Sequence, residues 1–176
     1  MKKRFLPFLM ALSLILPAFS AFAEEVAPET ATNQTSPAII AETAILMDAA
    51  SGEILYEKNA DQKMFPASIT KLMTILLALE HGKLTDEITF SHDAIYSIEP
   101  GSAHIAIQEG ETLTLEQVLR AIILRSANEA SNGVAEYVDG SREAFAKHMT
   151  ERAKELGCKS TNFITANGLH NENHYT

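Results

Sequence analysis

The chain is 176 residues long and carries a formal charge of −9, from 14 basic and 23 acidic side chains. Such a length suits one ordinary domain, and the acidity argues against nucleic acid as a partner, because that binding is carried by Lys and Arg on phosphates. With a single cysteine there is no internal disulfide, so stability has to come from a packed core.

Lys2, Lys3 and Arg4 form a basic start, Phe5 to Phe19 is an almost unbroken apolar run, and Ala21-Phe22-Ala23 supplies the small residues of a cleavage site. These features predict a signal peptide over residues 1–23 and an exported protein. The apolar run, about 15 residues, is shorter than the roughly 20 that a membrane-spanning helix needs. A lipoprotein would need a cysteine at the cleavage point, and the one cysteine is Cys158, expected to be a small buried or half-buried filler. Residues 24–38 have no periodicity and contain Pro28 and Pro37, which reads as a flexible leader.

Ordered structure is expected over residues 39–176. Thr43 to Met47 and Glu53 to Glu57 flank the turn-rich Asp48-Ala49-Ala50-Ser51-Gly52, a β-hairpin pattern. Leu72, Ile75, Leu76 and Leu79 then recur at helical spacing, so a helix is predicted to open close to Ser68, after Pro66, and to stop at Gly82. Periodicity does not resolve residues 83–111. Thr114-Leu115-Glu116-Gln117 fits a capping box for a helix ending near Arg125. Further helices are predicted from Asn128 to Val138, stopped by Asp139-Gly140, and from a Ser141 cap to Gly157. The tail from Lys159 to Thr176 is polar and reads as loop.

Two short motifs could carry chemistry. In Ser68-Ile69-Thr70-Lys71, positions i and i+3 share one helical face, so the Lys71 amine can approach the Ser68 hydroxyl and act as its base. The helix N-terminus would favour the oxyanion formed on attack. The bland alternative is a capping serine and a solvated lysine. Ser126-Ala127-Asn128 lies between two predicted helices, 58 residues on from Ser68. Ser126 could relay a proton, and Asn128 could hold Lys71 while donating to a substrate carbonyl; a helix stop and a cap would use the same residue types.

Asp48 to Gly52, Leu55 to Asp61, Pro66 to Thr74, Arg125 to Ala130, Leu156 to Phe163, Asn167-Gly168-Leu169 and His174-Tyr175-Thr176 together closely resemble low-molecular-weight penicillin-binding proteins, the serine D-alanyl-D-alanine carboxypeptidases. The resemblance implies an α+β, β-lactamase/transpeptidase-like fold, an antiparallel sheet flanked by helices. It implies that Ser68 is the acylated nucleophile, Lys71 its general base, and Ser126 and Asn128 the relay and substrate-positioning pair. The implied substrate is a peptidoglycan stem peptide ending in D-Ala-D-Ala, with β-lactams as covalent inhibitors and no cofactor. The family's K-T-G motif occurs nowhere in the sequence, so residues 39–176 are expected to be the N-terminal portion of the domain, cut before that strand and before the family's C-terminal membrane anchor.

Two other readings stay open. Class A β-lactamases share the motif order but carry S-D-N, where this chain has Ser126-Ala127-Asn128. A non-catalytic remnant or envelope-binding module would follow if apolar helix faces were left uncovered. Metal binding is not expected from His170, Glu172 and His174, which sit among Gly and Asn in a loop, and His81, His92, His104 and His148 are expected on the surface.

Overall fold

The computed structural model describes residues 38–176, so the expected signal peptide and nearly all of the expected leader lie outside the described residues. Residues 38–40 carry no regular structure, and Ala41–Thr176 form a compact unit of their own.

This unit opens with the hairpin. Strands β1 (Ala44–Met47) and β2 (Ile54–Lys58) pair antiparallel with a bulge where Leu46 gives way to Met47. Asp48 builds the turn by accepting the Ser51 hydroxyl and N–H, both at 2.7 Å, and these bonds hold its carboxyl below the usual carboxylate range.

A 3₁₀ turn at Ala67–Thr70 leads into α1 (Lys71–His81). Residues 83–111, which periodicity left undecided, hold β3 (Glu87–Thr89) and α2 (His92–Tyr96), and β3 pairs antiparallel with β4 (Thr112–Thr114). These elements are only three to five residues long, too short for either period to register. Helix α3 (Leu115–Arg125) begins with the capping box of Thr114 and Gln117 as the sequence predicts. Helix α4 (Asn128–Asp139) stops at a left-handed Gly140, and α5 (Arg142–Glu155) is capped by the Ser141 hydroxyl.

Helix α4 is the axis of the core. It packs against α1, α2, α3, α5 and β3, and residues 128–135 are buried without interruption. A helix can be buried all round only if its side chains let neighbours approach, and here Ala130, Ser131, Gly133 and Ala135 are small. Gly133 receives the Phe90 ring so closely that a Cβ would run into it. Leu77, Leu115, Val118, Val134, Phe145 and Met149 complete the centre, each fully buried. The hairpin and the outer rows of α1 and α3 differ: Ile45, Leu46, Leu55, Leu72, Ile123 and Leu124 are all more than half exposed.

One expectation is corrected. Cys158 is exposed rather than a core filler, because it follows Gly157 at the end of α5 and its N–H closes the helix onto the Ala153 carbonyl at the surface. The tail is loop, as the sequence reads, and part of it is buried. Phe163, Ala166, Asn167 and His174 are buried in it, and Asn162 and Tyr175 exchange backbone hydrogen bonds that close it into a loop.

Replacing Gly133 by Ala should overpack the contact with Phe90 and destabilise the protein by about 1–3 kcal/mol, read as a lower midpoint in denaturant unfolding.

Candidate active site

The entry to α1 presents Ser68 outward and Lys71 inward. Ala67 takes a left-handed backbone (φ 48) that swings the chain into the 3₁₀ turn, leaving Ser68 exposed and Lys71 buried one turn later. The Lys71 Nζ donates to Ser68 Oγ at 3.1 Å. The spacing predicted this approach from helical geometry alone.

The second motif arrives from the junction of α3 and α4. Ser126 ends α3 in a left-handed conformation (φ 55), and Asn128 is the first residue of α4. Ser126 Oγ lies 3.0 Å from Ser68 Oγ, and Asn128 Oδ1 accepts from Lys71 Nζ at 2.8 Å. The four residues singled out in the sequence therefore meet at one point. A non-glycine residue in the left-handed region costs about 1–3 kcal/mol, and Ala67 and Ser126 both occupy it, Ala67 next to Ser68 in the chain and Ser126 in contact with it.

A third segment contributes what sequence reasoning missed. The tail loop carries Asn167, whose backbone carbonyl accepts from Lys71 Nζ at 2.7 Å. Thr74 donates to the Ala166 carbonyl at 2.6 Å, and Thr70 meets His174 Nε2 at 2.8 Å, so one face of α1 grips the loop along its length. Gly168 is left-handed (φ 82) and passes so near the Ala67 carbonyl that no side chain fits. An Asn-Gly pair is the one local signal here, since it favours a tight turn. Nothing in it told that the turn would close on a lysine.

Burial sets the electrostatics. It pulls the Lys71 amine down to about 8, against the Glu129 carboxylate, which favours the charged form. Glu129 is buried in the first turn of α4 and accepts the Ile105 N–H at 2.7 Å, while the Asn128 N–H donates to the Ala103 carbonyl at 2.9 Å. These two bonds fasten the loop before β4 to the start of α4. Burial likewise lowers the His174 imidazole below its ordinary value. Its Nδ1 accepts the N–H groups of Ile164 and Thr165 at 3.1 and 3.2 Å, so the proton sits on Nε2 and points at Thr70. Of the histidines expected on the surface, His81, His92 and His104 are exposed, and His148 is half-buried against Asp139 at 2.9 Å.

Residues 30–176 match the family model described as D-alanyl-D-alanine carboxypeptidase, peptidase family S11. The chain belongs to this family. It is 37% identical to the D-alanyl-D-alanine carboxypeptidase DacF of Bacillus subtilis (strain 168), over all of this chain and 45% of that protein. It is 39% identical to DacC of Escherichia coli (strain K12), over 88% of this chain and 41% of that one. Among solved structures, penicillin-binding protein 5 from Haemophilus influenzae superposes with a TM-score of 0.73 at 32% identity, covering 81% of this chain and 43% of its own. The fold is thus the β-lactamase/transpeptidase-like fold of penicillin-binding proteins, and the chain spans less than half the length of these two curated relatives.

In this family member the site offers a hydroxyl, an amine with a depressed pKa and a second hydroxyl in contact, the parts needed for acyl transfer to serine. The His174 arrangement also has a consequence for stability. Its folded-state pKa lies below the unfolded value of about 6.5, so stability is fully present above that value and is lost as pH falls from there toward the folded pKa. Melting temperature should therefore drop between pH 7 and pH 5, and the drop should be smaller in a His174→Gln variant.

Proposed function

We propose that the protein is a serine D-alanyl-D-alanine carboxypeptidase that removes the terminal D-alanine from peptidoglycan stem peptides through an acyl-enzyme on Ser68. The observation that carries this reading is the contact of Lys71 Nζ with Ser68 Oγ at 3.1 Å, made by an amine whose other acceptors are Asn128 Oδ1 and the Asn167 carbonyl. A neutral amine has two N–H groups and one lone pair. Both other neighbours can only accept, so they take the two N–H groups and turn the lone pair toward the Ser68 hydroxyl.

Ser68 Oγ attacks the carbonyl carbon of the penultimate D-alanine while its proton passes to Lys71. With a pKa near 8, about a tenth of the amine is neutral at pH 7, enough for a base that also has to return the proton. The intermediate collapses with cleavage of the C–N bond, and the departing D-alanine amine takes a proton from Lys71 by way of the Ser126 hydroxyl. Water then adds to the ester, gives a proton to Lys71 and releases the shortened peptide, restoring Ser68. Asn128 keeps Oδ1 on Lys71, which leaves its Nδ2 to donate to a substrate carbonyl. A β-lactam carbonyl would acylate the same serine.

The names of the relatives support this substrate class, and the basic, apolar and small-residue order of residues 1–23 supports export to the periplasm or the outer face of the cytoplasmic membrane. Membrane association would come through a C-terminal anchor in the full-length protein. No helix among the described residues is long and apolar enough to cross a membrane.

Fluorescent penicillin should label the full-length protein covalently and leave Ser68→Ala unlabelled, and the labelling rate should climb with pH through about 8 as Lys71 loses its proton. Equal labelling of the Ser68→Ala variant would overturn the assignment. Rapid release of hydrolysed penicillin would instead favour the β-lactamase reading.

The open apolar rows of the hairpin, α1 and α3 favour a second reading for the 176 residues by themselves, a non-catalytic remnant or envelope-binding module. A cooperative melting transition together with stoichiometric penicillin binding by this chain alone would exclude it.

A further inference from the structure

Behind Lys71 two amides form a directed chain. Asn132 lies one turn beyond Asn128 on α4 and is buried. Its Nδ2 donates to the Ala94 carbonyl and to Ser97 Oγ, both at 3.1 Å, and its Oδ1 accepts from Asn167 Nδ2 at 3.1 Å. Asn167 Oδ1 accepts the Leu169 N–H at 3.0 Å, and the Asn167 backbone carbonyl accepts from Lys71 Nζ at 2.7 Å. The direction of the chain is set at both ends. Ala94 O can only accept and the Leu169 N–H can only donate, so neither amide can turn over without burying two like groups against each other.

We propose that Asn132 is a positioning residue for acyl transfer, holding the Asn167 peptide so that its carbonyl stays on Lys71 and the amine's lone pair stays on Ser68. The inference rests on the Ser68–Lys71 reading. Its physical content is the count of acceptors around the amine. If the Asn167 peptide drifts, one N–H of Lys71 loses its acceptor and competes for Ser68 Oγ as a donor, and the hydroxyl proton loses the lone pair it needs. The cleft beside Ser68 is bordered by Ile69, Leu72, Ile75, Ile122 and Ile123, with neither Asn132 nor Asn167 on it. Loss of Asn132 should therefore slow the chemical step and leave ligand affinity alone.

The bland role for the same residue is a brace between α4 and the end of α2, where Ala94 and Ser97 lie. The two roles separate in acylation kinetics of the full-length protein with fluorescent penicillin, analysed for the acylation rate constant and the dissociation constant of the preceding complex. In Asn132→Val the rate constant should fall about ten-fold, the scale of one hydrogen bond to a charged or charging group, with the dissociation constant changed by less than about two-fold. Asn167→Ala keeps the carbonyl but removes the side chain that Asn132 holds, and should fall equally. The double variant should be no slower than the slower single one, because both changes break one chain.

An unchanged rate constant in either folded variant, or a double variant slowed by the product of the two, would leave only the brace. If Asn132→Val does not fold, the decision passes to Asn167→Ala alone. Titration of the Lys71 side chain by NMR keeps this outcome apart from failure of the catalytic assignment. Absence of penicillin labelling in the unsubstituted protein would sink the Ser68–Lys71 reading, whereas the Lys71 titration still reports on Asn132. Its midpoint, near 8 in the unsubstituted protein, should move down in Asn132→Val as the ammonium loses a carbonyl, and an unmoved midpoint refutes the inference.

Discussion

A lysine amine buried among neutral acceptors is the constraint that organises this protein. Removing an ammonium from water is costly unless its donors are met, and the cost is what lowers its pKa into a range where it can act as a base. Lys71 is met by Ser68 from its own turn, by Asn128 from the start of α4 and by the Asn167 carbonyl from the tail loop. Three segments far apart in the chain have to be delivered to one nitrogen. Much of the remaining structure can be understood as the means of delivery.

The delivery uses small residues and local strain. Helix α4 can sit at the centre because Ala130, Ser131, Gly133 and Ala135 admit neighbours on every side, which fixes Asn128 and Asn132 on a buried face. Left-handed backbone at Ala67 and Ser126 turns two chain segments so that their hydroxyls face each other. Gly168 lets the tail loop lie against the Ala67 carbonyl, and Thr70, Thr74 and His174 tie that loop to α1. Strain of this kind persists only where the surrounding packing over-determines it, and here the buried core surrounds it on the side away from solvent.

The same frame leaves one region open. Apolar residues of the hairpin face solvent, and so do the outer rows of α1 and α3, which border the cleft that holds Ser68. Helix α4, by contrast, is packed against neighbours along its first eight residues. Glu129 and Asn128 show how the packed side extends toward the cleft, since each fastens the loop before β4 to the first turn of α4.

The elements with a clear period or cap were legible from the residues: the Asp48–Gly52 turn, the Thr114 capping box, the Ser141 cap and the spacing of Ser68 and Lys71 all depend on interactions within a few positions. The pairing of that motif with Ser126 and Asn128 came from family likeness, not from any local rule. What the sequence could not yield was the part made by contacts across the chain. Asn167 is an unremarkable turn residue until its carbonyl meets Lys71, His174 is one histidine in a polar tail until Thr70 and two backbone N–H groups enclose it, and Cys158 is small and apolar yet lies outside because a helix ends there. Local propensity acts over one or two turns, whereas burial and the acceptors of a buried amine are properties of segments brought together only in the folded chain.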